Sequence, residues 1–188
     1  MIGRIVVAVL LCVQLVPAFA AKEKDDEVEY LLPQDWESQP AAKPAEKSLS
    51  LTPKAFQSGM TLHVKEIPQC SSATLTPGKL VKNGTVVYQQ LKSKGAEVDI
   101  ILHLNPSGTI ASAQFVAPQS AKDNAQLSAM MCSTYAIMRT LQPDLETKAA
   151  AQANMKHSWA SAAQKPFVKA FYFNTIKTQL VPLEMNVY

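Results

Sequence analysis

Few residues in this 188-residue chain could do chemistry, and their spacing limits what that chemistry could be. None of the three histidines, His63, His103 and His157, has a cysteine, a second histidine or an acid at metal-ligand spacing. HxxxH and CxxC patterns are both absent, so each reads as an ordinary surface or half-buried histidine. A serine nucleophile would need a GxSxG elbow, which does not occur; Ser107-Gly108 belongs to a turn. Acids cluster at Lys22–Glu27 and are otherwise scattered, as at Asp99 and Asp144, with no pair placed to share acid and base roles. Six glycines supply no phosphate-binding loop. The expectation is a chain with no catalytic residue, no metal and no cofactor. Met130, Met131 and Met138 read first as core, and alternatively as the lining of an adaptable apolar groove.

The first twenty residues follow the plan of a Sec-type signal peptide. Arg4 gives the positive start, Ile5–Val16 the apolar run, Pro17 the break and Ala18-Phe19-Ala20 the small residues a signal peptidase reads. The apolar run of about a dozen residues is short of the roughly 20 needed to span a bilayer. An uncleaved anchor is the alternative. A lipoprotein fits less well, because Cys12 follows Leu11 where a small residue is wanted. Loss of Arg4 lowers the formal charge of +3 by one. That balance argues against nucleic acid as a partner, and no later segment is apolar enough to predict stable membrane insertion after cleavage.

Cys70 and Cys132 are the cysteines of the expected mature chain. An even count in an oxidising compartment points to one disulfide, closing a loop of about 60 residues worth roughly 4 kcal/mol in chain entropy. Two buried thiols, or pairing between chains, are the alternatives.

Residues 21–57 read as a disordered tether rich in Pro, Ala, Lys and Glu. Within it, Tyr30, Leu31, Leu32 and Trp36 form a patch that either docks on a partner or packs back on its own domain. Residues 58–188 read as a single domain. Alternation over Thr61–Ile67, with Leu62, Val64 and Ile67 inward, predicts a strand. Val81–Lys94 suits a helix or a strand, and the helix is preferred. Val98–Leu104 and Thr109–Val116, joined by Asn105-Pro106-Ser107-Gly108, predict a β-hairpin. Asp123 can cap a helix with Leu127, Met130, Met131, Thr134, Met138 and Leu141 on its inner face, ended by Pro143. Residues 146–164, with Met155 and Trp159 four apart, predict a second helix. Phe167–Leu180 fits a final strand or a helix.

The hairpin "EVDIILHLNPSGTIASAQFV", the helix around Ala129–Leu141 and the closing Pro143 together resemble the C-terminal periplasmic domain of TonB- and TolA-type proteins. Cys132 is similar in place to a disulfide cysteine on the helix of TolA-type domains. The chain departs from that pattern in the position of Cys70, in the alanine-rich stretch 146–164 and in the cleavable leader. The resemblance therefore implies a similar domain in an exported accessory protein, and not energy transduction.

The expected fold is α+β: a small antiparallel sheet packed on two or three helices behind the tether. The expected function is a non-catalytic periplasmic binding or scaffold protein of a bacterial envelope assembly (secretion, conjugation or pilus apparatus), with an envelope protein as partner. A small secreted enzyme or enzyme inhibitor is the alternative. Signal peptidase should cut between Ala20 and Ala21. N-terminal sequencing of the exported protein checks this, and a membrane-bound product that still begins at Met1 would identify the segment as an anchor.

Overall fold

The computed structural model describes residues 48–118 and 124–188. The leader, the tether up to residue 47 with Tyr30, Leu31, Leu32 and Trp36, and the expected cap Asp123 lie outside the described residues. Thr52 and Pro53 open the first helix, α1 (Pro53–His63). The Thr52 hydroxyl accepts the Ala55 N–H at 3.2 Å, and proline occupies the first turn, where its missing N–H costs nothing. Phe56 and Met60 recur at helical spacing and are fully buried.

This helix corrects two expectations. The tether was expected to reach residue 57, yet Leu49 is buried and Leu49 and Leu51 both bond Ile110 through the backbone. Thr61–Ile67 is not a strand: it is the end of α1 followed by a 3₁₀ turn, Val64–Glu66. Leu62, placed inward by the alternation, is 65% exposed.

Among the described residues the chain continues with β1 (Thr74–Leu75), β2 (Lys79–Val81), β3 (Val86–Ser93), β4 (Ala96–Leu104) and β5 (Ile110–Val116). It then forms the helices α2 (Asn124–Leu141) and α3 (Lys148–Ser161), and closes with β6 (Phe167–Phe171), β7 (Asn174–Leu180) and β8 (Leu183–Val187). The strands make one antiparallel sheet in the order β1-β3-β4-β5-β8-β7-β6, with β2 also on β3. The class is α+β, but eight strands make the sheet larger than expected.

The expected hairpin is present as β4–β5, paired from Asp99↔Val116 to Leu104↔Ile110, with Gly108 at φ 80° in its turn. The preferred helix over Val81–Lys94 is instead β3: its β-branched residues favour a pleated surface, and Val87, Gln89, Leu91 and Ser93 all turn inward. Polar Gln89 and Ser93 at inward positions hide the alternation. Phe167–Leu180 is neither one strand nor a helix but the hairpin β6–β7.

Val87, Leu91, Val98, Ile100, Leu102, Phe115, Ile176, Met185 and Val187 share one buried cluster with Phe56, Met60, Met130, Met138 and Trp159 of the helices. The helix α2 is buried around most of its girth, from Ala129 to Leu141, as expected of a helix with neighbours on several sides. Close approach of α1 requires Gly59, where an added Cβ would fall 2.5 Å from the Thr140 methyl. Cys70 and Cys132 are placed as a disulfide, Cα atoms 5.6 Å apart and both side chains buried. It pins α2 to the 3₁₀ turn Pro68–Cys70 after α1.

Replacing Cys132 by serine should cost about 2–5 kcal/mol of unfolding free energy, the usual range for a small exported domain. Urea unfolding of the oxidised protein and the variant checks this. Two alkylatable thiols in native exported protein would show that the bridge is not made.

Candidate functional site

Glu66, from the turn after α1, collects four donor groups from three residues. The Tyr135 hydroxyl reaches Oε2 at 2.6 Å, Arg139 Nε reaches Oε2 at 3.0 Å with Nη2 3.3 Å from Oε1, and His63 Nδ1 lies 3.1 Å from Oε1. Burial pushes the Glu66 carboxyl up, but hydrogen bonds from Arg139, Tyr135 and His63 outweigh it and hold the group at about 2. Burial, with the bond to Glu66, raises Tyr135, and the same carboxylate raises Arg139. All lone pairs of Glu66 face donors, so the group acts as a clamp between α1 and α2. The three-residue spacing of His63 and Glu66 was visible in the sequence, but the strand expected there put the two on opposite faces.

The clamp continues outward. Arg139 Nη1 donates to the Pro143 carbonyl at 3.0 Å and to the Glu146 carbonyl. The Glu146 carboxylate accepts Asn154 Nδ2 at 2.7 Å and the Tyr172 hydroxyl at 2.9 Å, and Asn154 Oδ1 accepts Lys169 Nζ. These bonds tie α2 and α3 to the β6–β7 hairpin. Tyr172 sits in the hairpin turn at φ 53°. That conformation costs a bulky residue on the order of 1–2 kcal/mol. The bond to Glu146 and an edge-on contact with Phe171 at 4.9 Å hold it there. The next residue, Phe173, is 92% exposed.

The hairpin carries an open sheet edge. On β7, Thr175 exchanges both backbone bonds with Tyr188, so Thr175 and Lys177 face β8. Their opposites on β6, Ala170 and Val168, therefore point their N–H and C=O groups away from β7. Among the described residues these groups have no partner. Both side chains are exposed as well, Val168 at 55%. The opposite edge is different: β3 is covered by two very short strands, β1 and β2, separated by Thr76-Pro77-Gly78. Short strands and proline blunt an edge.

A cleft of about 350 Å³ lies beside the disulfide, lined by Ile67, Leu127, Met131 and Met155 with Gln152 and Lys156 on its rim. It divides the methionine stripe: Met130 and Met138 are core, and Met131 lines the cleft. His103 is exposed on β4, and exposed His157 stands edge-on to Phe167 at 5.3 Å. The scattered acid Asp99 accepts the Tyr88 hydroxyl at 2.6 Å, a bond that pushes Tyr88 up to about 12. Among the described residues, no group of three or more His, Cys, Asp or Glu could hold a metal ion, and no helix is long and apolar enough to cross a membrane. Compared with known proteins, the chain matches no family model, no curated protein and no solved structure.

The clamp predicts a pH dependence. Unfolded, the Glu66 carboxyl takes up its proton near pH 4.5; folded, it does so only at about pH 2. Between these values the unfolded state binds more protons. The stabilisation is therefore whole above about pH 4.5, shrinks as pH falls and is gone below about pH 2. Glu66→Gln should cost about 3 kcal/mol at neutral pH, because it leaves Arg139 without its counter-charge. In urea unfolding the gap between wild type and variant should narrow on acidification through that window. A gap of unchanged size at about pH 2.5 would show that the charge of Glu66 is not what holds the helices.

Proposed function

We propose that this chain is a non-catalytic binding protein of a bacterial envelope assembly that captures an extended segment of a protein partner by strand addition at β6. One observation carries the reading: Val168 and Ala170 present unpartnered backbone donors and acceptors on an edge with no charged side chain pointing outward. Such an edge supplies main-chain hydrogen bonds to an incoming strand, and its flanking side chains supply selectivity. Exposed Phe173 at the hairpin tip is an aromatic of the kind that anchors interfaces, and the strained Tyr172 turn fixes its position. Export to the periplasm follows from the leader read in the sequence. The likeness to TonB- and TolA-type domains adds only that such domains serve envelope assemblies. Tyr30, Leu31, Leu32 and Trp36 are a second candidate contact, read from the sequence alone.

Ala170→Pro tests the edge selectively. Proline removes the outward N–H, which bonds nothing among the described residues, and leaves the ladder to β7 intact. A photo-crosslinking residue at position 168 in exported protein should give a discrete adduct that Ala170→Pro abolishes, whereas one at position 79 on the blunted edge should not. An adduct unaffected by the proline, or none at position 168, would overturn strand addition at β6.

A further inference from the structure

The segments that form the open edge carry one sign of charge, with Glu146 held at Tyr172 and Glu184 on β8 beside them. Between Glu146 and Glu184 the sequence holds Lys148, Lys156, Lys165, Lys169 and Lys177 and no acidic residue. That stretch comprises α3, β6 and β7, the elements around the edge. Lysine on an edge commonly serves to repel other strands, but here no lysine projects from the edge itself. Lys169 turns inward and donates to Asn154. Lys177 stands on β7 across from Val168, on the outer face of the sheet, and Lys165 is exposed just ahead of β6. An incoming strand lies about 10 Å from β7, two strand spacings away. A glutamate on its outer face and the flexible Lys177 together span that gap.

The inner side of the same edge is built differently. His157 packs on Phe167, and Ala153 and Ala160 are exposed four and three residues away on α3, one stripe of the helix. These small side chains leave room for apolar groups descending from a neighbouring strand. Side chains of an extended segment alternate between faces. The outer face of the captured segment therefore meets Lys177, and the inner face a shelf of alanine, histidine and phenylalanine beside Lys169, whose ammonium is engaged by Asn154.

We infer that the β6 edge selects an extended peptide segment in which acidic and apolar residues alternate, carboxylates toward the outer face that carries Lys177 and apolar side chains toward α3. This rests on the strand-addition reading and adds to it the chemistry of the partner. A second copy of the chain is a poor occupant, because joining β6 to β6 would bring two lysine-only hairpins together.

Two fluorescein-labelled nonapeptides test it: TEVEVEVET and its counterpart TKVKVKVKT, titrated with the mature protein and followed by anisotropy. The acidic peptide should bind at least about tenfold more tightly at low salt, and the preference should shrink as screening increases. Lys165→Glu combined with Lys177→Glu should reverse it. Ala170→Pro should abolish binding of the acidic peptide. If circular dichroism shows that this variant is unfolded, Val168→Pro serves instead, since it too removes only an outward N–H. Equal binding of both peptides, lost on the proline substitution, would overturn the charge selectivity and leave the edge reading standing. Binding of the acidic peptide unaffected by either proline would overturn the edge reading as well. Binding of neither peptide would overturn the inferred partner chemistry, with the crosslink at position 168 still deciding the edge. A dimer in sedimentation that Ala170→Pro dissolves would assign the edge to a second copy and overturn the inference.

Discussion

Glu66 is the group on which the arrangement of helices depends. A carboxylate taken out of water is costly unless it is paired and hydrogen-bonded. Here Tyr135, Arg139 and His63 surround it. The first two lie one helical turn apart on α2, so a single carboxylate fixes both the rotation of α2 and its position along α1. The disulfide fixes a second point on the same helix, one turn from Tyr135, and Gly59 lets the two helices meet at a third. With α2 held at three points, Arg139 is in place to bond the carbonyls of the α2–α3 connection. Its Glu146 then reaches the hairpin tip through Tyr172. The chain of charge-assisted bonds thus runs from the first helix of the domain to the edge strand at the far end of the sheet.

The two edges of the sheet are managed in opposite ways. At β3 the polypeptide spends eight residues, 74–81, on two fragments of strand interrupted by proline and glycine. The result protects β3 and offers little to a visiting chain. Among the described residues nothing comparable covers β6. The hairpin is instead stiffened from within, by Lys169–Asn154, Tyr172–Glu146 and the contact of His157 with Phe167. A rigid edge loses less entropy on capturing a strand than a mobile one would. The strained Tyr172 turn is consistent with that purpose, since the conformation is retained at a cost that the bond to Glu146 offsets.

How much of this was legible in the sequence depends on what each segment must satisfy. The β4–β5 hairpin and α2 were readable because local signals agree with the global fold: Asn-Pro-Ser-Gly can only turn, and the apolar residues of α2 recur at three and four. β3 was not readable, because the inward Gln89 and Ser93 break the binary pattern. α1 was obscured by a chance alternation at Leu62, Val64 and Ile67 that outweighed the plainer Thr52-Pro53 start signal. The Cys70–Cys132 pairing needed only a count of cysteines and a compartment. The Glu66 clamp needed the third dimension, since its partners lie 69 and 73 residues away. The open edge needed it too: whether a strand is central or terminal is a property of sheet order, which no periodicity records.

The sheet order also explains why the edge lies where it does. β5 and β8 pair across the two helices and the β6–β7 hairpin that separate them in sequence, so β8 is internal and that hairpin extends the sheet outward through β7 to β6. On their inner side these strands meet α3. The helix α3 turns Met155 and Trp159 into the core and the small residues Ala149, Ala153 and Ala160 outward. The difference between the two ends of the sheet therefore follows from strand order: β3 is flanked outside by β1 and β2, whereas among the described residues β6 is flanked by β7 alone.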